Sequence, residues 1–210
     1  MYEPSIADLV SGSTPLRRRQ RMGRVLARLL GSVAVSGLEQ VPTSGPVVLA
    51  VNHRAFLDGP VIFALLHRPV TFLVKTEAYT PRAAPLLRST GQIPVERATW
   101  NIGPVRDCLR LLNSGGIVGV FPEGTRGDGL VHTAKPGVGY FALRTGAAVV
   151  PVACHGTDLL GRQRRPRVRI AFGAPLVFDK APEDRILNRQ DVLAVTEKIR
   201  ATLAELVATS

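Results

Sequence analysis

Two rhythms of apolar and polar residues run through this chain. Val47–Val51, Val70–Val74, Ile117–Phe121 and Ala147–Ala153 are apolar runs rich in β-branched residues, the pattern of strands buried on both faces. Between them, apolar residues recur three and four apart, as in Ile102, Val105, Cys108, Leu109 and Leu112, or Val192, Val195, Ile199, Leu203 and Leu206. Val61–Leu66 and the stretch from Lys135-Pro136-Gly137 to Thr145-Gly146 fill the remaining gaps as helices. Gly91–Val95 reads as a short strand, and Arg167-Val-Arg-Ile170 alternates as a strand with one wet face. Pro151 inside an apolar run predicts an edge or bulge position. Strands interleaved with helices predict an α/β fold: one domain over residues 35–210, with a mixed sheet of about six or seven strands and helices on its faces.

Residues 1–34 follow a different pattern. Residues 1–13 read as a loose arm, after which Thr14 and Pro15 signal a helix start, as N-cap and first helical residue. Over residues 15–33, Met22, Val25, Leu26, Leu29, Leu30 and Val33 form one stripe, while Arg17, Arg21, Arg24 and Arg28 share another. Interspersed arginines disqualify this helix as a membrane span, which needs roughly 20 mainly apolar residues. A basic amphipathic helix fits a membrane interface, with the alternative of a helix packed on its own domain with a solvated arginine face.

One turn carries candidate chemistry. Val47–Val51 runs into Asn52-His53, and five residues after His53 comes Asp58-Gly59-Pro60, a helix start with Asp58 as N-cap. The four residues between can fold the carboxylate back onto the imidazole, an arrangement that prepares a histidine to take a proton from a hydroxyl. No Gly-x-Ser-x-Gly nucleophile elbow occurs, so the nucleophile would be the substrate's own hydroxyl. Taken locally, a hydrogen-bonded histidine and a helix-capping aspartate account for the same residues.

The 210 residues hold 27 Lys and Arg against 16 Asp and Glu, a formal net charge of +11. That balance fits nucleic acid, anionic lipid or a polyphosphate. Aromatics are sparse, and no RNP-like or zinc-finger pattern interleaves them with basic residues, which disfavours nucleic acid. Cys108 and Cys154 lack metal-ligand spacing and read as buried thiols, with no metal site expected. Cys154-His155 does not make an activated nucleophile, because neighbouring strand residues point to opposite faces. No secretory signal pattern is visible at the N-terminus. Five arginines between Arg162 and Arg169 could meet anionic headgroups or the phosphates of coenzyme A, or be solvated.

Three further stretches give the turn a context: Gly91-Gln-Ile-Pro-Val-Glu-Arg97, Phe121-Pro-Glu-Gly-Thr-Arg126 and Val150-Pro-Val-Ala153. With Asn52-His53-x4-Asp58 they resemble the four ordered blocks of the 1-acylglycerol-3-phosphate acyltransferase family, over roughly residues 35–175. The resemblance implies acyl transfer from acyl-CoA or acyl-carrier protein to a lysophospholipid hydroxyl, with His53 as base and Asp58 supporting it. It implies a peripheral position on the cytoplasmic face of a membrane, and no metal, redox cofactor or nucleic-acid partner. Arg97 and Arg126 would clamp the acceptor phosphate, since planar guanidinium forks match its oxygens in pairs. Gly124 would let the backbone approach an anion through free N–H groups, Thr125 belongs to the same block, and Lys75 matches a lysine associated with the phosphate pocket. Glu123 would orient the arginines or bind the glycerol backbone. Other lysolipid or glycolipid acceptors, a thioesterase-like hydrolase and a nucleic-acid-binding module remain as alternatives.

Overall fold

Apolar runs become strands where both of their faces find helices to pack against. The computed structural model describes residues 2–96, 102–182 and 184–210, apart from the side chain of Leu30. Its sheet has seven strands: β1 (Ser32–Ser36), β2 (Val47–Val51), β3 (Val70–Lys75), β4 (Ile93–Val95), β5 (Ile117–Val120), β6 (Ala148–His155) and β7 (Arg167–Phe172). Their spatial order is β1-β7-β6-β2-β5-β3-β4. Strands β2 to β6 run parallel, whereas β7 is antiparallel to β6 and β1 is parallel to β7. This is the mixed α/β sheet that the pattern predicts.

The central strand, β2, is buried at every position. Val47, Leu49 and Val51 join one core, whereas Val48 and Ala50 join the other. Helices α2 (Thr14–Leu30) and α3 (Asp58–Leu65) cover the first face. The second is covered by α5 (Gly103–Asn113), α6 (Gly137–Thr145) and α7 (Arg189–Thr209), through Cys108, Leu111, Phe141, Ile199 and Leu203. The short α1 (Ile6–Ser11) and α4 (Ala84–Ser89) complete the helices named here. Parallel strands with both faces covered place their carboxyl ends along one edge, and β2 delivers residues 52 and 53 there.

Several local expectations are corrected. Residues 1–13 are not all loose, because Ser5 and Asp8 form a capping box that starts α1. Ser13, not Thr14, precedes α2, and the helix stops at Leu30. Val33 lies in β1, so the expected boundary between residues 34 and 35 falls inside a strand. Ile102 is exposed, and Pro104 and Leu111 share the buried side of α5 instead. Pro151 sits in an interior strand, between β7 and β2. Of the two positions expected for it, edge or bulge, it takes the bulge: the Gly173 N–H donates to its carbonyl at 2.9 Å, and Leu176 rather than Pro175 then pairs with Val149, so the segment after β7 carries one extra residue there.

Helix α2 packs on its own domain, but through the face opposite its apolar stripe. Its buried side is Leu16, Gln20 and Ala27, with Gly23 so close that a Cβ there would come within 2.9 Å of the Ala64 methyl. The Gln20 amide donates to the carbonyls of Phe63, Leu66 and Arg68, tying α2 to the end of α3. Met22, Val25, Leu26 and Leu29 are therefore left exposed. The helix docks on its domain through small and polar residues, and its large apolar residues face outward.

Packing under the site leaves no spare volume at Gly119 in β5. A Cβ there would run into the Phe72 ring, which itself stacks on Phe121 at 5.2 Å between centroids. Gly119→Ala is expected to destabilise the domain by about 1–3 kcal/mol, the usual cost of overpacking. Chemical denaturation measures this, and an unchanged midpoint would show that Phe72 is free to move.

Candidate active site

The site begins with a stitch at the end of β2. Asn52 is fully buried. Its amide donates to the carbonyls of Gly129 at 3.1 Å and Cys154 at 3.2 Å, and its carbonyl oxygen accepts from the Cys154 N–H at 2.7 Å. Three segments distant in sequence are thereby held at one sheet edge. The glycine at 129 is required twice over: φ is +75°, and a Cβ would lie 2.4 Å from the Arg54 side chain.

His53 follows, with a side chain 17% exposed, and its Nδ1 lies 2.9 Å from Asp58 Oδ2. Asp58 itself has no exposed surface. A buried carboxylate is costly unless its lone pairs meet donors. Here Oδ2 also accepts from the backbone N–H of Arg54 at 2.9 Å and of Ala55 at 2.8 Å, while Oδ1 accepts from the Thr157 hydroxyl at 2.5 Å. Asp58 is thus no N-cap. Leu57 holds that position without a side-chain cap, and the carboxylate turns back into the loop it closes. A carboxylate on Nδ1 makes that nitrogen the donor, so Nε2 is the nitrogen able to accept a proton.

The segment after β5 completes the surround. Phe121 stacks on the His53 ring at 4.0 Å between centroids, inclined by 22°. Glu123 Oε1 accepts the His53 backbone N–H at 2.9 Å, and the His53 carbonyl accepts the Gly127 N–H at 3.0 Å. The histidine is gripped on its ring face, its Nδ1 and both backbone groups. Arg54 runs beside it, its Nε 3.8 Å from Asp158.

The other expected residues divide. Glu123 holds the backbone of His53, a role outside the two expected of it. The positive φ of Gly124, +74°, does call for glycine, but its N–H donates to the Phe121 carbonyl at 2.9 Å and is not available to an anion. Thr125 and Arg126 are exposed on the loop, Arg126 just before the residue that binds the His53 carbonyl. Lys75 is exposed at the end of β3, two strands from β2, roughly 10 Å away at the usual strand spacing. Arg97 lies outside the described residues. Among the described residues no His, Cys, Asp and Glu group is arranged to hold a metal ion.

Both cysteines are buried and unpaired with each other. Burial pushes the Cys108 thiol up to about 12, and burial with the nearby Asp58 charge pushes Cys154 well above its ordinary range. Neither is a thiolate nucleophile at neutral pH. Burial lowers His155, with Arg169 and Arg54 adding to the shift, and its Nε2 meets the Ser210 hydroxyl at 3.0 Å.

Residues 32–155 match the protein family described as Acyltransferase. The chain belongs to that family. Among its relatives is a chloroplastic 1-acyl-sn-glycerol-3-phosphate acyltransferase of Arabidopsis thaliana, 30% identical over 184 residues, covering 78% of this chain and 51% of the relative. A 1-acyl-sn-glycerol-3-phosphate acyltransferase of Bacillus subtilis is 26% identical over 187 residues, covering 87% of this chain and 92% of the relative. The chain spans about half the length of the plant relatives it matches. In fold it is similar to the crystal structure of the 1-acyl-sn-glycerophosphate (LPA) acyltransferase of Thermotoga maritima, with a TM-score of 0.69 and 24% identity over 93% of this chain and 80% of that one.

Thr157 lies on the short helical turn after β6, and nothing in the sequence pattern singles it out. Thr157→Val removes a donor from a buried carboxylate and is expected to cost about 1–3 kcal/mol, with Thr157→Ser close to wild type. Denaturant melts of both variants test this. Equal stability of wild type and Thr157→Val would show that Asp58 does not depend on that hydroxyl.

Proposed function

We propose that this chain transfers a fatty acyl group from acyl-CoA or acyl-carrier protein to the free hydroxyl of 1-acylglycerol-3-phosphate, giving phosphatidic acid. The observation that carries the reading is the His53–Asp58 pair, with Nδ1 held by a buried carboxylate, within a segment that belongs to the acyltransferase family. The relatives named for this activity on 1-acylglycerol-3-phosphate support the choice of acceptor.

In this reading His53 Nε2 takes the proton of the acceptor hydroxyl as its oxygen attacks the thioester carbonyl carbon. Asp58 stabilises the imidazolium so formed. Collapse of the tetrahedral intermediate breaks the carbon–sulfur bond, and the proton on His53 passes to the departing thiolate. Arg126, with Arg97, holds the acceptor phosphate, with Lys75 near it, while Glu123 fixes the backbone that carries His53. The reaction calls for no metal or redox cofactor. Stacking on Phe121 leaves His53 little rotational freedom, which favours one fixed direction for proton transfer.

The acceptor is a lipid, and α2 supplies the means to reach it. No helix among the described residues is long and apolar enough to cross a membrane. An exposed stripe of Met22, Val25, Leu26 and Leu29 beside arginines suits a helix lying in the interface instead. The enzyme would work as a peripheral protein on the cytoplasmic face.

Incubation with acyl-CoA and a panel of lyso-acceptors, following free thiol and lipid product, tests the proposal. Transfer to 1-acylglycerol-3-phosphate is expected, and His53→Ala should lower it by ~10²–10⁴-fold while circular dichroism stays native. Near-normal turnover by that variant would remove His53 from the mechanism. Thiol release that needs no acceptor would make the protein a hydrolase instead.

A further inference from the structure

Charge is unevenly placed along this chain. Residues 14–30 carry six arginines and residues 161–169 carry five, with no Asp or Glu in either segment. Setting those eleven aside leaves sixteen basic and sixteen acidic residues, so the entire formal excess of +11 resides in two short segments.

The fold brings the two together. At the end of α2, a Cβ on Gly31 would come within 2.8 Å of the Pro166 carbonyl oxygen, and the Ser32 N–H donates to that same oxygen at 2.9 Å. An open cleft of about 510 Å³ lies between Leu29 and the residues Gly161, Arg162, Gln163, Arg164 and Arg165. The loop is anchored, since the N–H groups of Arg162 and Gln163 both donate to the Leu159 carbonyl at 3.0 Å. Its arginines are exposed, and Leu29, which faces them, is 74% exposed.

Topology fixes which end of the molecule this is. β1 and β7 run opposite to β2, and Ser32 pairs with Arg167 at the start of both. The end of α2 and the 161–165 loop therefore lie at the sheet edge where β2 delivers His53. Thr157, which holds Asp58, begins the connection that leads into this loop.

We infer that the C-terminal half of α2 and the Arg162–Arg165 loop form one docking surface for an anionic bilayer. Met22, Val25, Leu26 and Leu29 enter the interface, and Arg162, Arg164 and Arg165 lie at the level of the headgroup phosphates. The site edge then faces the lipid, and an acceptor reaches His53 without leaving the membrane. Contiguity with large exposed apolar side chains favours a bilayer over the phosphates of a soluble donor, which have no use for them. This inference rests on the reading of the protein as an enzyme acting on bilayer-embedded acceptor.

The test is sedimentation with vesicles of phosphatidylcholine alone and of phosphatidylcholine mixed with phosphatidylglycerol. Wild-type protein should partition onto the mixed vesicles, and failure to do so would overturn the interfacial reading itself. Arg162→Gln, Arg164→Gln and Arg165→Gln together should weaken that partitioning on the order of a hundredfold at low salt, with little change on phosphatidylcholine alone. The corresponding triple change to Lys should retain it, because a diffuse anionic surface reads charge rather than guanidinium shape. With a short-chain, water-soluble acceptor, the KM for acyl-CoA should be the same in all three proteins. Wild-type binding that survives the triple Gln change would overturn the inference alone. Unchanged binding with a raised KM for acyl-CoA would assign the loop to the donor.

Discussion

A carboxylate with no exposed surface is the constraint on which this site is built. Asp58 can stay charged in the interior only if every strong acceptor direction meets a donor. Four donors from three places do so: His53 Nδ1, the N–H groups of Arg54 and Ala55, and the Thr157 hydroxyl. Two of them are the backbone of the connection between β2 and α3, which explains why Asp58 stands five residues after His53 across a tight loop. The same bonds that relieve the buried charge set the direction of the imidazole.

The sheet supplies the other half of that rigidity. Gly119 has no side chain, so Phe72 can lie over β5, Phe121 can lie against Phe72, and His53 can stack on Phe121. Glu123 and Gly127 close on the two backbone groups of His53 from the same segment. The loop after β5 therefore does two things at once. It fixes His53, and it carries Arg126 on its exposed side, next to the residue whose N–H binds the His53 carbonyl.

Much of this was legible in the chain itself, for a physical reason: buried strands and amphipathic helices leave local periodicities, and β2, β5, β6 and α7 follow them. The pairing of His53 with Asp58 was legible because both lie on the same short turn. Thr157 was not, since its bond to Asp58 spans 99 residues and a lone threonine carries no pattern. The grip of Glu123 on the His53 N–H, across 70 residues, was hidden in the same way. For α2 the periodicity revealed an apolar stripe but not its direction. Leu16, Gln20, Gly23 and Ala27 bury the other face, and small or polar residues register weakly in any hydrophobic pattern although they permit the closest helix contact. Pro151 signals an edge or a bulge, and it is the bulge that occurs: between Gly173 and Leu176 the neighbouring segment carries one residue more than β6 does, so the ladder slips where the proline has no N–H to give.

Asp58 holds His53 with Nδ1 protonated and Nε2 free to accept. Heteronuclear NMR of the imidazole nitrogens, in a histidine-labelled sample at a pH where the ring is neutral, reads this directly. His53 should show a protonated Nδ1 coupled to its hydrogen and an unprotonated Nε2, and this tautomer preference should be lost in Asp58→Asn. A neutral His53 carrying its proton on Nε2 in the wild-type protein would contradict that arrangement.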